Sequence, residues 1–128
     1  KENITYEFRP HPMSLKKKEF EINNNIKINN DKFIDFKKFK FLISDWSGIF
    51  IEFAIINNSK PILINTNKKI LNKNYLKFSS TPIEIESRKI VGAEFDIDEI
   101  DNIPGFILNQ KNDDFTNVIR EFYKNNFY

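Results

Sequence analysis

The apolar positions of this chain fall in short runs that polar or proline-rich segments separate. Residues 4–8 alternate apolar and polar side chains as a strand does. The prolines of residues 9–12 end this strand, because proline has no amide hydrogen to donate to a strand ladder. Residues 26–28 predict a second short strand, whereas residues 14–21 fit either a helix or a strand.

The clearest change of period lies in the middle of the chain. Residues 39–43 predict a buried strand, after a helical turn that Asp35 can cap. Residues 49–56 are apolar on nearly every side, which is typical of a short helix packed on a sheet. Residues 61–64 predict a further buried strand. Strand, turn, helix and strand in this order form a βαβ unit, whose right-handed crossover makes its two strands parallel.

We therefore predict an α/β fold built on a parallel sheet with helices on both faces. The strands that end at Phe8, Ile43 and Ile64 are expected to be neighbours or near-neighbours in this sheet. A long loop with one helical turn is predicted over residues 67–81. Residues 113–123 predict a closing amphipathic helix with four apolar side chains on one face: Phe115, Val118, Ile119 and Phe122.

Composition limits the size of the domain. The chain has 128 residues, 40% of them hydrophobic and 15% aromatic, so residues 1–128 are expected to form a single domain with a real core. The chain opens with Lys1 rather than Met and enters a predicted strand almost at once. From this we expect a domain excised from a longer protein.

Charge and cysteine content exclude several classes of function. The 20 Lys and Arg against 18 Asp and Glu give a net charge of only +2, so we expect no nucleic-acid partner and interpret the lysines at 16–18 as a solvated face. The lack of cysteine excludes disulfides, thiolate catalysis and Cys-based zinc sites, and a single histidine excludes a His-cluster metal site. No run approaches the ~18 to 20 apolar residues of a membrane span, and no signal-peptide pattern is present, so we expect a cytoplasmic domain.

Candidate chemistry begins at residues 44–48, between a predicted strand and a predicted helix. Ligands of open α/β sheets bind at the carboxyl ends of the strands, where helix amino ends present unpaired N–H groups and partial positive charge. The hydroxyls of Ser44 and Ser47, with Gly48 allowing close approach, let this segment hold a phosphate or diphosphate without lysine. The alternative is that Ser44 or Ser47 merely caps the helix.

Glu52 is the one charged residue of the apolar helix. Because burying an unpartnered carboxylate costs several kcal/mol, Glu52 must reach water or hydrogen-bond donors. It follows Gly48 at helical spacing and shares its face, where it can accept hydrogen bonds from ribose hydroxyls while the helix start holds phosphates. The alternative is an exposed polar stripe.

His11 lies between two prolines directly after the first predicted strand, close to Arg9. An imidazole and a guanidinium on a rigid loop suit neutralisation of phosphate charge or proton transfer at a leaving group. The alternative is a structural histidine.

Four segments occur in the order and spacing of a known family. They are Arg9-Pro10-His11-Pro12, Ser44-Asp45-Trp46-Ser47-Gly48, Glu52-Phe53-Ala54 and Lys60-Pro61-Ile62-Leu63. Together they resemble the C-terminal, Rossmann-like half of the CDP-glycerol:poly(glycerophosphate) glycerophosphotransferases, which build teichoic acids and related capsule polymers on a GT-B scaffold. Residues 72–92 are also similar to members of this family. The family's usual Tyr-Ser-Ser is Trp46-Ser47-Gly48 in this chain.

The resemblance implies a role for each matching residue. His11 corresponds to the family's functional histidine, Glu52 to a helix acid that contacts the nucleotide sugar, and Arg9 joins the donor site. The segment that holds the donor's phosphates is matched by Ser44, Asp45, Ser47 and Gly48. The implied donor is a cytidine nucleotide such as CDP-glycerol, with no metal or other cofactor.

The resemblance also implies partners outside this sequence. The acceptor polymer would bind an N-terminal half that this sequence does not include, so the domain alone would bind donor without turning it over. The full-length enzyme would be cytoplasmic and could associate with the inner membrane face.

Three other interpretations stay open. Bacterial sialyl- and polysialyltransferases also combine an HP motif with a serine-bearing motif, so a CMP-sugar glycosyltransferase fits the same residues. Asp96 and Asp98 could form the metal-binding DxD of a GT-A enzyme, although the acidic run at residues 94–101 more simply predicts a solvated turn. A non-catalytic α/β interaction module would need no anion at residues 44–48.

Overall fold

The computed structural model describes residues 5–11, 26–67, 74, 77, 81–110 and 115–127. The chain divides into two compact units, Lys1–Ile34 and Asp35–Tyr128, and each is described by itself. The ambiguous segment at residues 14–21, which includes the three lysines, and most of the loop predicted over residues 67–81 lie outside the described residues.

The first unit contains two short parallel strands, β1 (Glu7–Phe8) and β2 (Lys27–Ile28), where the sequence predicts them. Glu7 stands opposite Lys27, and its carboxylate accepts hydrogen bonds from the Lys27 ammonium and the Asn29 side-chain amide. The hydrogen bond from Lys27 to Glu7, and the attraction between their charges, raise the pKa of Lys27. Cross-strand pairing of opposite charges therefore supports the short ladder.

The first strand has a different partner from the one that the pattern predicts. The sequence places the strand ending at Phe8 in one sheet with the strands ending at Ile43 and Ile64. In the described part of the chain, β1 instead pairs with β2 in a two-stranded sheet. The expectation of a single sheet is corrected to two small parallel sheets, because β1 pairs with the next strand along the chain, as consecutive strands commonly do.

The second unit contains a three-stranded parallel sheet in the order β3 (Ile43–Ser44), β4 (Ile62–Asn65) and β5 (Ala93–Asp96). Helix α1 (Ile49–Asn57) connects β3 to β4, and these two strands pair in parallel. The predicted βαβ unit is confirmed.

Burial differs between the central and the edge strand. β4 has partners on both sides, and its Ile62 and Leu63 are buried. β3 pairs with β4 alone, and its Ile43 is 48% exposed. The strand is therefore shorter and less buried than the pattern at residues 39–43 predicts.

Helix α1 is apolar on most sides because most of its sides are covered. The buried side chains are Phe50, Ile51, Phe53 and Ala54. The helix ends at Asn58, whose φ of 48° and ψ of 43° lie in the left-handed region that asparagine tolerates better than most residues. The predicted helix is confirmed.

A 3₁₀ helix, Phe36–Lys38, packs on α1. As predicted, Asp35 caps it, since Oδ1 of Asp35 accepts a hydrogen bond from the Lys37 amide at 3.3 Å. The ring of Phe36 is buried and meets the ring of Phe53 edge-on, with centroids 5.9 Å apart.

The sequence pattern misses several short elements after β4. They are α2 (Ile83–Glu86), α3 (Arg88–Val91), β5, a 3₁₀ helix (Ile97–Asn102) and α4 (Ile103–Asn109). The solvated turn predicted over residues 94–101 is confirmed in its exposure at residues 96–101 and wrong in its form, because this stretch finishes β5 and then forms most of the 3₁₀ helix. Elements of this length contain too few residues for a period to be recognised.

The closing helix α5 (Phe115–Phe127) is confirmed and extends beyond the predicted end. Its Ile119 and Phe122 are buried as predicted, whereas Val118 is 40% exposed. Together with α1, β4 and α3, this helix encloses the main core. The buried members of this core are Phe50, Ile51, Ala54, Leu63, Val91, Ile119 and Phe122.

The described architecture is thus mixed α/β with parallel sheets of two and three strands. Within the described ranges, no helix combines the length and the apolarity that crossing a bilayer requires.

Candidate functional site

The carboxyl ends of β3, β4 and β5 lie at one edge of the three-stranded sheet, since all three strands are parallel. Ser44 ends β3, Asn65 ends β4 and Asp96 ends β5. Nδ2 of Asn65 donates a hydrogen bond to Oδ1 of Asp96 at 2.9 Å, which ties two of these ends together. The predicted binding segment, residues 44–48, leaves the sheet at this edge, where α/β proteins bind ligands.

Arg88, the first residue of α3, holds this edge together. Its side chain is 2% exposed. Nε donates to Oε1 of Glu94 at 2.9 Å, Nη1 to the Asp45 carbonyl at 2.6 Å, and Nη2 to Oδ1 of Asn65 at 2.9 Å. A buried charge is tolerated only when it is paired and hydrogen-bonded, and these three acceptors meet that requirement. Arg88 therefore fixes the β3–α1 loop to strands β4 and β5.

The sequence pattern predicts no role for Arg88, which lies in the stretch of residues 72–92 that resembles the family. One signal could have found it. Arg88 follows Ile85 and precedes Val91 at three-residue spacings, which place all three on one helical face. A lone arginine on such an apolar face must find acceptors, as this one does.

Trp46 holds the same loop from a second side. Its indole Nε1 donates to the Thr66 carbonyl at 2.6 Å, just after β4. The Arg88 guanidinium lies over the indole ring, 4.1 Å from its centroid. This cation–π contact and the indole hydrogen bond restrict the loop at its midpoint.

The amino end of α1 begins at Gly48, whose φ of −67° and ψ of −7° are already helical. No side chain caps this end, so Ser44 and Ser47 do not act as N-caps. The alternative in which a serine merely caps the helix is therefore excluded. The Ile51 amide donates to the Gly48 carbonyl at 3.1 Å, and the helix amides before it are left to water or to a ligand.

Glu84 in α2 lies beside this helix start, a position that the sequence pattern does not predict. A Cβ atom placed on Gly48 would lie 3.1 Å from Cγ and 3.8 Å from Oε1 of Glu84. A carboxylate is favoured near the positive end of a helix dipole. It would also compete with any other anion that approaches this loop.

Glu52 follows one turn after Gly48 and is exposed. Its carboxylate reaches water, which satisfies the requirement that the sequence sets for it. Exposure agrees with the polar-stripe alternative and leaves the carboxylate accessible to a ligand. Its contact with ribose stays a prediction.

Arg9 and His11 belong to the first unit, directly after β1. Both are exposed, the intervening Pro10 is buried, and Nη2 of Arg9 donates to the Lys32 carbonyl at 3.4 Å. The shared cleft predicted for His11 with Ser44, Ser47, Gly48 and Glu52 spans two units described separately, so it stays a prediction.

Asp96 acts as a helix cap. Its side chain accepts the amide hydrogen of Glu99 while the Glu99 carboxylate accepts from the Asp96 amide, which forms a capping box at the start of the 3₁₀ helix. Across the described ranges, no group of three or more His, Asp or Glu side chains is arranged to hold a metal ion.

The sequence matches no protein-family model, no curated protein and no solved structure.

Proposed function

We propose that this chain is the donor-binding domain of a transferase that moves a polyol phosphate or a sugar from a cytidine nucleotide to a surface polysaccharide or teichoic-acid-type polymer. The observation that carries the proposal is the β3–α1 loop. It leaves the carboxyl edge of a parallel sheet, Arg88 and Trp46 hold its backbone, and it enters a helix that no side chain caps. Fixed amide groups at such a helix start can bind phosphate.

In this proposal, the matching residues have separate roles. The amides after Gly48 and the hydroxyls of Ser44 and Ser47 bind the donor phosphates, and Asp45 keeps the loop in place through its carbonyl bond to Arg88. Glu52 accepts hydrogen bonds from the ribose. The described parallel strands form part of a Rossmann-like half of a GT-B enzyme, whose other half binds the acceptor polymer.

The proposed mechanism places Arg9 and His11 at the leaving group. Transfer from a nucleotide diphosphate develops negative charge on the departing nucleotide. The start of α1 and the Arg9 guanidinium stabilise this charge. His11 either donates a proton to the leaving group or, as a cation, stabilises its negative charge. No metal or other cofactor takes part in this mechanism.

Glu84 sets a condition on this proposal. Its carboxylate lies beside Gly48, where the donor phosphates are to bind. Because like charges repel, the exposed Glu84 side chain must turn toward solvent when the donor enters. The site is therefore expected to bind inorganic phosphate weakly and to depend on the nucleoside for affinity.

A ligand titration tests the function. The protein is followed by thermal unfolding and by ¹⁵N–¹H spectra with CMP, CDP, UDP and inorganic phosphate. Selective stabilisation by cytidine nucleotides, with shifts at the amides of Ser47 and Gly48, is expected. A preference for CMP over CDP would favour the CMP-sugar glycosyltransferase. Equal responses to all four ligands, or none, would reject a cytidine donor site.

A second candidate is a non-catalytic interaction module. The observation that favours it is the Glu84 carboxylate at the helix start, which already provides negative charge there. In that case none of the four ligands shifts the unfolding temperature, and Glu84→Gln lowers stability without creating an anion site.

A further inference from the structure

An open cavity lies at the opposite ends of the strands from residues 44–48. Its volume is about 740 Å³, within the usual range for small-molecule sites. Four segments line it. They fall within residues 37–40 before β3, residues 57–60 between α1 and β4, residues 105–110 at the end of α4, and residues 115–118 at the start of α5.

Side-chain amides tie these four segments to one another. Nδ2 of Asn57 donates to the carbonyls of Phe36 and Phe39 at 2.9 and 3.1 Å. Nδ2 of Asn58 donates to Oγ1 of Thr116 at 2.6 Å, and Nε2 of Gln110 donates to the Lys60 carbonyl at 3.3 Å. Because the walls are connected to each other, the cavity is held open rather than formed by loosely adjacent loops.

The described residues that line the cavity carry charges of one sign. Lys37, Lys40 and Lys60 line the cavity, and none of the described lining residues carries a carboxylate. Lys60 is half-buried. The nearby Asp35 carboxylate pairs with Lys38, which does not line the cavity, at 3.8 Å. Among the residues that the structure describes, the ammonium groups of the three lining lysines therefore have no acidic partner.

The rest of the lining is apolar or carries amides. Phe39, Phe106 and Phe115 contribute aromatic surface, and Asn109 adds an exposed amide. Phe115 and Val118 of α5, a helix of 13 residues, bring further apolar surface to this cavity. A ligand that matches this lining carries a strong negative charge at one end and an apolar or aromatic body at the other.

We propose that this cavity binds an organic phosphate, with Lys37, Lys40 and Lys60 contacting the phosphate and the phenylalanines contacting its apolar part. The site does not depend on the proposed donor site, because the two share no residue and lie at opposite ends of the strands. Lysine ammonium groups bind phosphate oxygens through charge-assisted hydrogen bonds.

Phenyl phosphate is the probe, since it combines a phosphate with an aromatic ring. It is titrated into ¹⁵N-labelled protein, with inorganic phosphate and benzyl alcohol in parallel. We expect saturable shifts at the amides of Lys60, Phe106 and Gln110, tighter for phenyl phosphate than for either partial probe. Unperturbed amides at Ser47 and Gly48 distinguish this site from the donor site.

Substitutions identify the charges that act. The variant K37Q/K40Q/K60Q is expected to weaken phenyl phosphate binding about tenfold or more, and Lys38→Gln, the loss of one neighbouring charge outside the lining, less than twofold. Asn109→Asp adds a carboxylate at an exposed lining position and should weaken binding without disturbing the core. Absence of saturable shifts, or equal affinity in all of these variants, would overturn the proposal.

Two sources can supply such a phosphate, and a second measurement separates them. Co-sedimentation uses vesicles of phosphatidylcholine alone and of phosphatidylcholine with phosphatidic acid. Binding to the acidic vesicles that K37Q/K40Q/K60Q loses assigns the cavity to a lipid headgroup. Binding of phenyl phosphate without vesicle binding assigns it to a soluble phosphate ester.

Discussion

The Arg88 guanidinium is buried, and its burial costs hydration free energy. Its removal is also costly, because it donates hydrogen bonds to Glu94, Asn65 and the Asp45 carbonyl. Arg88→Met should lower the free energy of unfolding by about 3 kcal/mol, since it leaves a partly buried carboxylate and two polar groups without a donor. Urea denaturation followed by circular dichroism measures the loss.

The matched control for this prediction is Arg120→Met. Arg120 is exposed, and its loss should change the free energy of unfolding by no more than about 0.5 kcal/mol. Equal effects of the two substitutions would show that the guanidinium of Arg88 does not hold the loop.

Glu84 offers a second test at the scale of one residue. Glu84→Gln removes the negative charge beside Gly48 and should tighten binding of CDP by about 2- to 5-fold, because an exposed like charge is partly screened by solvent. Glu86→Gln removes an exposed carboxylate from the same short helix and is the control. Isothermal titration calorimetry gives the dissociation constant of CDP for both variants. Equal effects would show that Glu84 does not repel the donor phosphates at the start of α1.

Single residues could be predicted from the sequence where strand ends determine their position. The sequence predicts Ser44 at a carboxyl strand end because the apolar run before it stops there. Glu52 was expected to reach water because an isolated charge in an apolar helix has few other options. The roles of Arg88 and Glu84 depend on contacts between segments far apart in sequence, which local periodicity does not encode.

At the scale of elements, the close approach of β4 and the segment between α3 and β5 depends on Gly92. A Cβ atom at this position would lie 2.3 Å from Cδ1 of Leu63 and 2.9 Å from the Arg88 carbonyl oxygen. Gly92→Ala should therefore reduce the free energy of unfolding by about 1–3 kcal/mol through overpacking. Urea denaturation measures this loss.

Gly105→Ala is the opposite case within the same unit. A Cβ atom at Gly105 would meet nothing within 4 Å, and the position lies inside α4. The free energy of unfolding is expected to rise by about 0.5–1 kcal/mol, since alanine loses less backbone entropy in a helix. A loss of stability at both positions would contradict the steric explanation for Gly92.

The elements that the sequence predicted well are those with a clear change of period. The βαβ unit stands out because an apolar helix lies between two apolar runs, and α5 because its apolar positions share a face. The region from α2 to α4 consists of elements of 4 to 7 residues, which are stabilised by packing rather than by their own pattern. The sequence does not predict the partner of β1, because the pattern of a single strand does not specify which strand it pairs with.

At the scale of the whole molecule, the proposed mechanism predicts different kinetic effects for the two parts of the site. In a full-length enzyme that contains this domain, His11→Ala should lower kcat by roughly 100-fold, the usual loss when acid–base assistance is removed. Ser47→Ala should instead weaken donor binding by about 1–3 kcal/mol and leave kcat closer to the wild-type value. Steady-state kinetics with varied donor concentration measures both.

The same kinetic experiment includes EDTA as a condition. Activity that persists with the chelator is expected, because no metal takes part in the proposed mechanism. Wild-type turnover in His11→Ala, or activity abolished by EDTA in the unsubstituted enzyme, would remove the basis for this mechanism.

The whole chain contains a single tryptophan, and it is Trp46. Its indole lies against the Arg88 guanidinium in the β3–α1 loop, so tryptophan emission from the entire protein originates at this one place. A molecule that rearranges the loop will alter the intensity or wavelength of that emission without any attached dye. A molecule that fills the lysine-lined cavity at the other ends of the strands will leave it nearly constant. The protein therefore carries its own optical probe, which distinguishes occupancy at its two ends.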